Sequence, residues 1–172
     1  LIGGSPNTIS FGASTLQLNP SGGSVMIGGF DYAVLANQLA NAWTTYTPTL
    51  TQSGAVTKTT SMARYCKLGR LVIGEILLSV TGAGTGNTAI IVGMPVAIHA
   101  AAGQPIGGGY VYDANVNVRY PGQVIAATTT TFQFIPYTMG TGGVLGQTAS
   151  GFGAALASGD AITFYFVYEA AS

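Results

Sequence analysis

Ionised side chains are scarce in this chain of 172 residues: it has five Lys or Arg, five Asp or Glu and a formal net charge of zero. They make up 6% of the sequence, against about 25% in an average soluble domain. Five scattered cations cannot neutralise a phosphate backbone, which excludes nucleic-acid binding by charge. One histidine and one cysteine give too few ligands for a metal or redox centre, and no cofactor or metal is expected. The spacing from Cys66 to His99 fits no zinc pattern. A single cysteine also forbids an internal disulfide, so Cys66 is read as a small buried apolar residue. No Asn-X-Ser/Thr sequon occurs, since Asn19 is followed by Pro20. Mean hydropathy is +0.45, and residues 76–112 and 120–159 carry no charge. Yet no 18 consecutive residues are apolar, because Gly, Pro, Thr and Asn interrupt both runs, and no membrane span is expected. The chain opens on Leu1 without a signal peptide; a fragment or processed product with further sequence upstream is the expectation.

Glycine is abundant, at 26 residues, and 48% of the chain is hydrophobic, which argues against intrinsic disorder. Thr and Ser supply 32 residues and Asn and Gln another 14. The surface must therefore be neutral hydroxyls, amides and backbone. Such a surface suits a protein working outside the cell that covers much of itself with copies of itself, so a homo-oligomer is expected.

Three zones differ in texture. Residues 1–30 hold short apolar alternations (Ile9 and Phe11, Leu16 and Leu18, Val25 and Ile27) between Gly and Pro spacers, which predicts very short strands. Such strands build a core only if copies wind together, as a stem; a flexible leader is the plain alternative. Residues 31–45 read as a helical collar. Asp31 is the expected N-cap, Leu35, Leu39 and Ala42 share one face, and Thr44, Thr45 and Pro48 end it. That face packs either on sister helices or on its own domain. Residues 46–172 form the body, with strands predicted at 64–68, 71–80, 88–94, 109–113, 116–120, 123–126, 132–135 and 161–169. They are rich in Thr, Val, Ile, Tyr and Phe and separated by Gly, Pro, Asn or Asp turns. The predicted fold class is all-β: an antiparallel, jelly-roll-like β-sandwich head behind a short intertwined β stem and one short α-helix. Residues 139–158 read as a long surface loop with few anchors.

Chemistry is thin. A Ser–His–Asp arrangement would need His99, which sits among Val96, Ala97, Ile98 and Ala100, and no Gly-X-Ser-X-Gly elbow is present. Glycoside hydrolysis needs two carboxylates, and the spacing of Asp31, Glu75, Asp113, Asp160 and Glu169 recommends no pair; Asp160 reads as turn chemistry. The glycines at 82, 84 and 86 lack the Lys-Ser/Thr and helix of a phosphate loop. One set fits ligand binding: Tyr110, Tyr112, Asp113, Asn115, Asn117, Arg119 and Tyr120, all around one predicted hairpin. Sugar rings stack on aromatic faces, and amides, carboxylates and Arg bond their hydroxyls. Core or interface packing of alternating tyrosines is the competing reading.

Four motifs resemble a β-sandwich domain of bacteriophage tail fibres and related virion proteins. Residues 42–49 (AWTTYTPT) look like its "AWTxYTPT" opening. Residues 64–72 (RYCKLGRLV) look like its "RYxKxGxxV" hairpin. Residues 94–97 (MPVA) are similar to its "LPVAA" segment, with Met for Leu. Residues 157–162 (ASGDAI) and 168–171 (YEAA) look like its closing "ASGD…YEAA". The resemblance covers 42–172 and implies a homotrimeric, non-enzymatic receptor-binding protein of the virion surface. It implies attachment to other virion proteins through the N-terminal part and adhesion to a host-surface glycan or protein. A structural or capsid-decorating fibre and a polysaccharide-cleaving tailspike are the alternatives.

Overall fold

The computed structural model describes residues 26–27, 30–31, 43–99, 102–139, 145–147 and 152–171. The chain divides into two compact units, Leu1–Ala40 and Asn41–Ser172. In the first, β1 (Met26–Ile27) and β2 (Phe30–Asp31) pair antiparallel, Met26 opposite Asp31. Asp31, read from sequence as a helix N-cap, is thus a strand residue. The rest of the expected stem, and the expected helix between residues 32 and 42, lie outside the described residues.

Among its described residues the second unit is all-β. Its strands are β3 (Thr44–Thr45), β4 (Leu50–Gln52), β5 (Gly54–Ala55), β6 (Lys58–Leu68), β7 (Leu71–Val80), β8 (Ile90–Gly93), β9 (Pro105–Asp113), β10 (Val118–Ala126), β11 (Thr131–Met139), β12 (Leu145–Gln147) and β13 (Ala161–Glu169). They form one antiparallel sheet in the order β3-β6-β7-β13-β9-β10-β11-β8-β4-β5, with β12 pairing β11. Thr44 and Thr45, assigned by sequence to the collar, pair with Tyr65 and Arg64 of β6.

The sheet curls because its two edges are tied by short chain. β3 lies at one end of the order and β4 near the other, yet only residues 46–49 separate them. Five residue steps span at most about 18 Å. Residues 56 and 57 likewise carry the chain from β5 to β6. Hydrogen bonds from Tyr46 N to Ala63 O (3.0 Å) and Gly93 N to Thr49 O (3.1 Å) fasten the crossing segment to both sides.

Alternation decides which face turns inward. On β7, Val72, Gly74, Ile76, Leu78 and Val80 are buried, and on β13, Ile162, Phe164, Phe166 and Tyr168. The concave side closes over four phenylalanines. Phe132 of β11 meets Phe166 of β13 with ring centroids 4.7 Å apart, and Phe134 stacks on Phe164 at 5.3 Å, although β9 and β10 stand between those strands in the sheet. Room for the rings comes from glycines within strands. A Cβ at Gly74 would enter the Phe166 ring, and one at Gly122 the Phe134 ring. Pro121, expected in a turn, lies inside β10. It falls one residue beyond the β10–β11 ladder, which begins at Gly122 opposite Pro136, so its missing N–H breaks no bond to β11.

Two tyrosines line the edge of this core. Tyr168 donates to Val96 O at 2.7 Å, and burial pushes its phenol up to about 12. Burial raises the Tyr46 phenol further, with Tyr168 adding to the effect.

The segment 139–158, expected as a long surface loop, contains β12, which pairs with β11, and its last described residues are anchored within the chain. Phe152 and Leu156 are buried, and Gln52 holds the chain between them. Gln52 is 1% exposed; its Nε2 donates to Ala154 O at 2.9 Å and its Oε1 accepts from Leu156 N at 2.8 Å. Gln52→Leu strands the buried Leu156 N–H, at about 1–3 kcal/mol, and removes the donor to the half-buried Ala154 C=O. A loss of roughly 1–3 kcal/mol in urea denaturation is expected; an unchanged midpoint would show that the clamp carries no stability.

Candidate functional site

The β9–β10 hairpin carries all seven residues singled out for ligand binding, and its register divides them. Tyr112 pairs with Arg119 and Val111 with Tyr120. Tyr110, Tyr112 and Arg119 therefore share the outer, convex face. Asp113 and Tyr120 point the other way. Asp113 is 6% exposed and accepts the Asn115 backbone N–H at 2.9 Å. Tyr120 meets Phe152 edge-on at 5.1 Å, against the core. Both side chains support the hairpin from its inner side.

The outward set forms a small platform. The Arg119 guanidinium lies 5.1 Å from the Tyr112 ring centroid and 5.8 Å from that of Tyr110, within cation–π range. The Tyr112 hydroxyl donates to Asn117 Oδ1 at 3.0 Å. Asn117 takes φ of 53°, a left-handed conformation that Asn tolerates better than most residues, so the turn itself aims its amide at the ring. Asn115 is exposed in the same turn. The neighbouring Thr163 hydroxyl lowers the Tyr110 phenol from its ordinary value, burial opposes it, and Arg119 adds a smaller lowering effect. The platform thus offers two aromatic faces and a guanidinium on paired strands, with an amide in the turn that joins them.

Residues not singled out from sequence continue the outer face. Tyr165 and Thr163 of β13 stand opposite Gly108 and Tyr110, and Tyr165 is 63% exposed. Its direction was available in the alternation of Phe164-Tyr165-Phe166, because two inward phenylalanines force the residue between them outward. Glu75 accepts from Arg64 Nε at 2.6 Å, and Arg64 stacks over Trp43 at 4.6 Å. Glu169 pairs with Arg70 at 3.2 Å. Both carboxylates are thus committed to arginines. Asp160 accepts backbone N–H groups of Ala114 and Ala157. His99 lies at the other end of β13, its N–H bonded to Glu169 O at 2.8 Å. Among the described residues, no three His, Cys, Asp or Glu side chains gather as metal ligands, and no helix is long and apolar enough to cross a membrane.

No family model, curated protein or solved structure matches the chain.

Proposed function

We propose that this chain is part of a homotrimeric bacteriophage tail-fibre or virion-appendage protein that adheres to a glycan on the host surface. In this reading the curled sheet, Thr44 and Thr45 included, is a jelly-roll-like sandwich head, the residues before it are its stem and collar, and the outer face of the β9–β10 hairpin meets the receptor. The observation that carries the proposal is the Tyr110–Tyr112–Arg119–Asn117 platform. Aromatic faces take the C–H side of a pyranose, while guanidinium and amide bond its hydroxyls. Strand pairing fixes the platform before binding, so little ordering entropy is lost. Three copies on one stem turn weak single contacts into avidity. The four fibre-like sequence motifs support the virion setting.

The test is retention on an array of bacterial surface polysaccharides, with Tyr112→Ala and Arg119→Ala as separate variants. The wild type should be retained by at least one polysaccharide, and each variant at least tenfold more weakly, with unchanged circular dichroism. If nothing is retained, or both variants bind like the wild type, the adhesin reading is wrong. Shortening of the polysaccharide during incubation would replace it with the tailspike alternative.

A further inference from the structure

The outer face of β6, β7 and β13 is apolar where a solvent-facing strand is ordinarily polar. Leu71 is 43% exposed, Ile73 39%, Val167 48% and Tyr165 63%. Register sets Ile73 between Cys66 on β6 and Val167 on β13, so the apolar side chains run as one stripe across three strands. Beside the stripe is a hollow of about 290 Å³ whose lining includes Met62, Glu75, Tyr110 and Tyr165. Exposed apolar patches of this kind mark contact surfaces.

Charge on the face selects the occupant. Its charged side chains are paired within the chain, Arg64 with Glu75 and Arg70 with Glu169. A nucleic acid, an anionic lipid surface or a strongly charged protein would set unpaired charge against apolar side chains, which is costly. A copy of this chain has no net charge and brings both the stripe and the hollow. We infer that copies of the chain meet through this face, with an exposed apolar side chain of one seated in the hollow of the next. Such head-to-tail contacts close into a ring when the rotation permits. The inference rests on the homo-oligomeric part of the function proposed above.

The test uses the full chain carrying Leu71→Asp and Val167→Asp together. Cys66 is the single cysteine, half-buried in one copy and lying on the stripe, so its reaction with an uncharged maleimide reports cover of this face even if another part of the chain keeps copies together. The wild type should have a multiple of the monomer mass by light scattering, and its thiol should react at least tenfold more slowly than that of the double variant. Val167→Thr, which preserves shape, should give an intermediate rate should the double variant fail to fold. A monomeric wild type, or equal thiol rates in wild type and folded variants, overturns the inference. Calorimetry with a retained polysaccharide separates the two readings: the double variant should keep the single-site affinity of the β9–β10 platform while losing avidity.

Discussion

Phe166→Ala is expected to destabilise the sheet unit by about 3–5 kcal/mol, a large share of the 5–15 kcal/mol typical of a domain. Phe166 is fully buried and touches Phe132 across the concave side and Tyr168 along its own strand, with centroids 4.7 and 5.7 Å apart. Removing the ring opens a cavity where β11 and β13 meet, and strands on both sides of the curl lose packing together. Tyr165→Ala, one residue away but facing outward, should change stability by only about 0.5 kcal/mol. Equal losses in urea denaturation for the two variants would refute the assignment of faces. Gly74→Ala alone should destabilise by roughly 1–3 kcal/mol through overpacking, because its Cβ enters the Phe166 ring. In the Phe166→Ala background the clash with the ring is gone while the approach to the Arg64 carbonyl oxygen at 2.7 Å remains, so the double variant should be only partly relieved, and less destabilised than the sum of the singles.

The same complementarity explains which strands were legible in the sequence. β7 and β13 are long runs rich in β-branched, aliphatic and aromatic residues preceded by Gly-containing turns, and both have the bounds expected, 71–80 and 161–169. β9 begins at Pro105, four residues earlier than expected. Gly107, Gly108 and Gly109 argue against a strand by propensity, but here they let β13 and its phenylalanines come close. The beginning of β6, Lys58-Thr59-Thr60-Ser61, has no apolar residue to alternate, and a bulge shifts its register before Met62; the partner β7 makes it a strand. β3, β4 and β5 are two or three residues long, too short to show any period. The anchoring of Ala154 and Leu156 depends on Gln52, about a hundred residues earlier in the chain, and no local pattern announces such a clamp.

The candidate site was legible as a cluster but not as a surface. Alternation alone puts Tyr110 and Tyr112 on one side of β9 and Val111 and Asp113 on the other. Placing Arg119 with the tyrosines and Tyr120 against them requires the hairpin register, Tyr112 opposite Arg119. That register follows from a turn of residues 114–117, in which Asn117 adopts positive φ. Sequence put the turn at 113–115 and the next strand from Val116, whereas β10 begins at Val118, and a slip of one would have exchanged the two faces.

Asp160→Ala is expected to weaken both the fold and the site. Asp160 is 1% exposed. Its Oδ1 accepts from Ala114 N at 2.9 Å and its Oδ2 from Ala157 N at 2.8 Å, tying the β9–β10 turn to the start of β13. The substitution leaves the half-buried Ala157 N–H without an acceptor while the N–H of the exposed Ala114 turns to water, so a loss of roughly 1–3 kcal/mol in denaturant titration is expected. Asp160→Asn keeps one acceptor and turns an amide donor toward the other N–H, so it should fall between Asp160→Ala and the wild type. Because Ala114 opens the turn that carries Asn115 and Asn117, either variant should also lower polysaccharide affinity several-fold at temperatures where it remains folded, although Asp160 touches no ligand. Full stability of Asp160→Ala would remove the carboxylate from the account of the fold. A stability loss with unchanged affinity would show that the Tyr110–Tyr112–Arg119 platform is held by strand pairing alone.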